Sequence, residues 1–291
     1  MSTPDHSLGR QVDRPAERAL FRALFDDAAV FPPGLAPLPE AIADHVVRQS
    51  SSYGDLIGPL LLPASAVADL LHLERPGQVE VALIGRPGTD LALVQEALSS
   101  LHGRATVTVL GVEIGWSPQW HQALDWDASL SIEVPRGAEQ ERALSELQQH
   151  AGDAHPVQAK LRTGSTPEQR APTTTELAIF IRACVDHDLG FKLTGGLHHG
   201  ISASTPDGED QLGFLNVIAA TRWALAHGAE VPEMNALLSE RDPAAILDIN
   251  TRMSAADASV VRAFFTAYGC CGVLDPIGDL VAFGLIQEAA V

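Results

Sequence analysis

Two apolar segments of the chain each carry a lysine ahead of a glycine turn. Residues 155–164 contain Lys160 and Arg162, and residues 190–200 contain Lys192 and Thr194 followed by Gly195 and Gly196. Side chains alternate along a strand, so Lys160 shares a face with Arg162 and Lys192 with Thr194. If that face is the inside of a barrel, three cations meet in one pocket. A neighbouring cation and partial desolvation lower an amine's pKa and leave free amine near neutral pH. Such an amine adds to a carbonyl and forms a Schiff base. The iminium is then an electron sink for C–C cleavage or proton abstraction, with a glutamate or water as general acid/base beside it.

Other residues could join that chemistry. Glu113 and Glu133 end earlier apolar strands and could balance Lys160, Lys192 and Arg162. The plain alternative is a structural ion-pair layer inside the barrel. His198 and His199 follow the second lysine strand. One of them suits acid/base work or carboxylate binding, with His198 nearer the strand end. Both could complete a metal site with Glu113 and Glu133, although no His-x-x-x-His spacing occurs and nearby lysines repel a divalent cation. Asp26 and Asp27 stand where the first strand begins, and Asp27 is taken as a substrate contact. Trp116 and Trp120 suit a pocket wall or, more plainly, core packing. Residues 196–212 form the longest polar stretch and are expected to act as a lid, with 201–212 mobile in the absence of ligand; a disordered surface insertion is the alternative. Cys270 and Cys271 precede a segment expected to pack over the barrel base.

The elements that would position these residues alternate. Helices at 38–49, 64–73, 89–101, 117–126, 138–151 and 174–187 separate strands at 56–62, 79–84, 105–115, 130–134, 157–163 and 190–195. The strands are near-continuous apolar runs, as in parallel sheets covered on both faces. Counting 28–31 first and 245–249 last gives eight strands and an α/β fold, a (β/α)8 TIM-like barrel. Helices at 213–227 and 231–239 form an insertion before the last strand. A doubly wound open sheet is the alternative, but no glycine-rich dinucleotide fingerprint follows the early strands. Residues 1–16 read as a flexible tail, a short helix as 18–25, and 17–291 as one barrel domain.

The segments Lys160-Leu161-Arg162-Thr163-Gly164 and Lys192-Leu193-Thr194-Gly195-Gly196 lie 32 positions apart. Over roughly 105–200 they resemble class I aldolases of the deoxyribose-phosphate aldolase type. Those enzymes are (β/α)8 barrels with Lys-Thr-Ser-Thr-Gly on strand 6 and Lys-Pro-Ala-Gly-Gly on strand 7. The resemblance implies that Lys160 is the Schiff-base nucleophile and Lys192 its cationic neighbour. Arg162 departs from it by replacing a small residue, Glu113 stands in place of the strand-4 aspartate motif, and no small-residue phosphate loop follows the last strand. Over its whole length the chain also looks like a bacterial protein family, a likeness that supplies no activity.

Composition sets outer bounds. The 291 residues are 46% hydrophobic, enough for one large core, and carry a net charge of −18. That charge argues against nucleic acid and anionic membrane surfaces as partners. Three cysteines, with no zinc spacing, suit a reducing cytoplasm. No signal-peptide pattern or run long enough to span a bilayer is read. The expected activity is that of a lyase or isomerase on a small anionic carbonyl compound, without a cofactor and in a possible homodimer. Catalysis falls to Lys160, Lys192, Glu133, Glu113 and His198. Arg162, Thr194, Gly195, Gly196, His199 and Asp27 would bind substrate. A metal-dependent enzyme and a non-catalytic sensor of an anionic metabolite are the other readings.

Overall fold

A computed structural model describes residues 15–73, 78–167, 169–204 and 210–287. The central apolar runs become parallel strands that hydrogen-bond in sequence: β1 Phe25–Asp27, β2 Ile57–Pro63, β3 Val79–Ile84, β4 Val107–Gly115, β5 Leu130–Glu133, β6 Val157–Arg162 and β7 Phe191–Thr194. A small antiparallel ribbon follows, β8 Ala203–Ser204 with β9 Asp210–Gln211. Strand β10, Phe265–Cys270, pairs with both β7 and β1 and closes an eight-stranded parallel barrel. Helix α1 Pro15–Phe21 precedes the first strand, and helices between the strands complete the (β/α)8 architecture: α2 Leu38–Gln49, α3 Val67–His72, α4 Leu91–Leu101, α5 Gln140–Gln148 and α6 Thr174–Asp186. Four more, α7 Phe214–His227, α8 Val231–Ser239, α9 Pro243–Thr251 and α10 Ala255–Phe264, separate β9 from β10, and α11 Leu274–Ala282 follows.

Both end strands differ from the sequence expectation. The first strand is residues 25–27 rather than 28–31, although the Ala28 amide still donates to the Cys270 carbonyl at 2.8 Å. The segment 245–249 is helical. Asp242 caps it by accepting from the Ala244 amide at 3.0 Å, Pro243 fits its first turn, and its buried residues Ile246 and Asn250 are four apart. A five-residue apolar run does not separate a strand from a buried helical turn. The insertion therefore has four helices rather than two, and Phe265–Cys270 is the closing strand. A 3-10 turn, Trp120–Asp125, replaces the helix expected at 117–126, and the first helix is 15–21 rather than 18–25. The expected tail lies almost wholly outside the described residues, which start at 15.

Alternation assigns the two faces. Lys192 reaches Asp26 and Glu113, whose strands are not its neighbours, so these side chains point into the barrel. Phe191 then faces outward, as does Phe25, the neighbour of Asp26. Outside the barrel wall, Phe25, Phe214 and Tyr268 pack with centroids 5.5 to 5.9 Å apart, and Phe191 stacks on Phe265 at 5.4 Å. This aromatic layer fixes α7 over β1 and β10, the two strands with the weakest sequence signal. Phe214→Ala should therefore cost about 3–5 kcal/mol of stability. Urea unfolding followed by circular dichroism measures it, and a loss under about 1 kcal/mol would mean that this layer does not hold the closure.

Candidate active site

The strands deliver six charged side chains to the barrel interior in alternating order. Lys192 Nζ donates to Asp26 and to Glu113. Lys160 Nζ stands 2.7 Å from the other Glu113 oxygen and 3.1 Å from Glu133 Oε2. Arg162 Nε donates to Glu133 Oε1 at 3.3 Å. The file thus runs Asp26, Lys192, Glu113, Lys160, Glu133, Arg162. Its first four members are buried, and only Arg162, with 30% of its side chain exposed, reaches toward solvent. Beneath it lies a neutral rung, in which the Gln158 amide donates to Ser131 at 2.9 Å and Thr266 donates to Gln158 at 2.7 Å.

Burial and pairing act against each other along the file. Burial alone would raise the Glu113 carboxyl, but Lys160 and Lys192 overcome it and hold it at about 2. Glu133 is lowered in the same way, burial being outweighed by Lys160 and Arg162. Lys192 would be pulled down by burial, yet Asp26 and Glu113 keep it above the ordinary lysine range. Asp26 is the exception. Its burial outweighs Lys192, and its carboxyl is pushed up to about 6.

A cavity of about 810 Å3 opens above the file at the C-terminal ends of the strands. Glu113, Glu133, Lys160, Arg162, Thr194, Gly195, Gly196 and His198 all line it. Lys192 does not; its ammonium lies one step inward and meets the cavity only through Glu113. Gly195 and Gly196 have φ of 78° and 77°, and a Cβ at either would press on Gly164 at 3.3 to 3.4 Å, so the turn after β7 requires glycine twice. Thr163 clamps the two loops together by donating to the Gly195 carbonyl.

Three expected positions differ. Asp27 faces outward, where its carboxylate meets His45 at 3.1 Å and Arg48 at 2.9 Å on α2, and strand parity gives the interior place to Asp26 instead. His199 lies off the cavity, its ring 3.2 Å from Asp279. The Cys270-Cys271 pair sits at the mouth rather than the base, with Cys271 on the cavity wall. The loop expected to be a lid is pinned where it is described: the Ser202 amide donates to Asn216 at 2.9 Å, its hydroxyl donates to the Leu238 carbonyl at 2.8 Å, and the Gly213 amide donates back to that hydroxyl. Residues 205–209, within the expected lid, lie outside the described residues. Trp116 and Trp120 both donate to Glu146 on α5, at 3.0 and 3.3 Å, and do not wall the cavity. Among the described residues no three histidine, cysteine or carboxylate side chains are grouped to hold a metal ion, and none of the helices is long and apolar enough to cross a membrane.

Sequence reasoning missed Arg86, which follows β3 and enters the cavity with its guanidinium 5.4 Å from the Phe31 ring centroid. Its position two residues past a strand end was the available signal. It also missed the pairing of Cys271 with His198, for which residues 73 positions apart give no spacing signal.

The depressed Glu113 ties stability to acid pH. Its contribution is fully present above about 4.5, the ordinary glutamate value, and is lost as pH falls through about 2. Asp26 acts oppositely, withdrawing stability as pH rises from 3.8 to about 6. Urea midpoints should therefore fall steeply between about pH 4.5 and pH 2, and Glu113→Gln should flatten that limb while lowering stability at pH 7. An unchanged acid slope in the variant would show that Glu113 is not ionised against the two lysines.

Comparison with known proteins matches no family model, no curated protein and no solved structure.

Proposed function

We propose that the cavity holds a small anionic carbonyl compound and that the protein acts on it as a lyase or isomerase, with Lys160 as the reacting amine. The observation that supports this reading is the position of Lys160: its ammonium lines the cavity between two carboxylates, and a guanidinium lies beyond the second of them. In this file a potential nucleophile, a base and an anion-binding group stand in consecutive contact.

Lys160 is paired with two carboxylates, and an amine held in this way attacks only after it gives up a proton. An incoming carboxylate changes that balance. Arg162 and Arg86 are the cations nearest solvent in the cavity, and a planar guanidinium matches a carboxylate bidentately. As Arg162 turns to the substrate, Glu133 loses one of its two cations and becomes more basic. It then accepts a proton from Lys160, 3.1 Å away. The freed amine adds to the carbonyl carbon, water leaves, and the iminium withdraws electrons from the neighbouring bond. Glu133 gives the proton it took to the departing water, accepts another from the group whose bond to carbon breaks, and returns that one to the carbanion that forms. Glu113, held by two lysines, stays ionised and keeps Lys192 charged beneath the reacting nitrogen. The same groups without a Schiff base would support proton abstraction beside the carbonyl, with Lys160 as electrophile.

Borohydride reduction in the presence of 2-oxo acids and carboxylated aldehydes should add a stable mass to Lys160, and Lys160→Met should abolish the addition. Labelling at Lys192, or equal labelling in the variant, would reject the assignment. Arg86→Ala removes an anion contact without touching the charged file. It should raise the concentration of oxo acid needed for half-maximal trapping about tenfold or more, the worth of one charged hydrogen bond.

A further inference from the structure

A second reactive grouping stands at the same mouth, apart from the charged file. Cys271 Sγ lies 3.3 Å from His198 Nε2, and His198 Nδ1 lies 3.0 Å from Asp275 Oδ2. Thiol, imidazole and carboxylate therefore touch in series. Cys271 and His198 line the cavity, and Asp275 supports the imidazole from behind, within the first turn of α11. The sequence of contacts is that of a nucleophile, a base and a group that orients the base.

Local packing holds the three together. Cys270 ends β10 opposite Asp27, which fixes the strand end, and Cys271 is the first residue beyond it. Gly272 leaves room for the Asp275 carboxylate, since a Cβ there would come within 2.6 Å of it. Gly34 likewise gives way to Cys271, whose Cβ would lie 3.3 Å from a Cβ at that position. His198 hangs from a loop whose next residues are tied to α7 and α11: the Phe214 amide donates to the His199 carbonyl at 3.1 Å, and the Gly200 amide donates to Asp279 at 2.8 Å. The imidazole faces Cys270, Cys271 and Asp275. The two thiols and then Asp275 push the imidazolium up to about 11 against partial burial.

We propose that Cys271 is a covalent nucleophile for acyl transfer, with His198 as its acid/base and Asp275 as the positioning residue, acting on an ester or thioester of a small carboxylated acid. The proton of Cys271 passes to His198 Nε2 and the sulfur bonds to the acyl carbon, moving the carbonyl π pair onto oxygen. Collapse of that adduct expels the alcohol or thiol, which takes the proton from His198. Water then gives a proton to His198 and attacks the thioester, the acid leaves, and the proton returns to sulfur. Arg86 and Arg162 across the cavity supply the contact for the substrate's carboxylate. No step uses Lys160, so failure of the Schiff-base reading leaves this one standing.

The test uses the full chain and two probes, iodoacetamide and the mono-p-nitrophenyl ester of succinic acid. Alkylation of Cys271, located by peptide fragmentation, should proceed at pH 6.5 at least tenfold faster than in His198→Ala. Its pH profile should have a midpoint well below the ordinary thiol value of about 8.5. The ester should release one equivalent of p-nitrophenolate in a burst and leave a succinyl mass on Cys271. Asp275→Asn should slow the burst and move the midpoint upward, whereas Cys270→Ser should retain the burst and the acylation of Cys271. A wild-type profile with an ordinary thiol midpoint, or acylation of Cys270 or Lys160 in place of Cys271, would overturn the proposal even if every variant failed to fold.

Discussion

Glu113 sits between two lysines that the barrel would otherwise force together. Lys160 and Lys192 are direct partners in the register of β6 and β7, two like charges side by side on the inner face. That pairing is tolerable only because β4, across the interior, sends one carboxylate between them, with one oxygen on each ammonium. The remaining members extend the same logic outward, Asp26 beyond Lys192 and Glu133 with Arg162 beyond Lys160. Three positive and three negative charges alternate, so each buried charge has an opposite neighbour and the file is neutral as a whole. A buried ion with no partner costs several kcal/mol, and a one-residue slip of any contributing strand would send its charge to the apolar outer face. The network therefore fixes strand register more strictly than apolar packing does.

Accommodating this file has consequences for the strands around it. A Cβ at Gly58 on β2 would fall 1.9 Å from Asp26 Oδ1, and one at Gly269 on β10 would fall 2.9 Å from Leu61 Cδ1. Small residues make the room, and they weaken the strands that carry them, because glycine adds no packing and loses more entropy on ordering. The barrel compensates on the outside, where Phe25, Phe214, Phe265 and Tyr268 cover the weak seam between β1 and β10.

That compensation explains what could be read in the sequence. Strands β2 to β7 are runs such as Leu60-Leu61-Leu62 or Val79 to Ile84, and their period and spacing announce a parallel barrel. The shared face of Lys160 and Arg162 follows from alternation alone. The seam strands are different. Phe25–Asp27 has three residues, two of them acidic, and Phe265–Cys270 includes a glycine and an irregular register. Their strand character comes from long-range partners, which local patterns do not record. The same holds for Asp26 against Asp27. Parity decides between them, and parity was unreadable while the first strand was placed three residues late. Cys271 and His198 meet because β7 and β10 are neighbours, a consequence of closure that appears only once the last strand is known.

The cavity joins two groupings that respond differently to an anion. The charged file is neutral, so an anionic ligand brings an uncompensated charge unless a proton moves or a pair opens. Arg162 is the one member with substantial exposure, and opening its pair with Glu133 leaves a carboxylate next to a lysine proton. The thiol grouping sets Cys271 3.3 Å from His198, with Asp275 exposed at 52% and so partly solvated. Under the acyl-transfer proposal, charge would develop on the carbonyl oxygen there without disturbing Glu113 or Lys192. An anionic group held at Arg86 and Arg162 would thus set up proton transfer in the file, while its carbonyl end, according to its reach, meets either Lys160 or Cys271. Under the two proposals, substrate length across the cavity, rather than the affinity of its carboxylate, would select the chemistry.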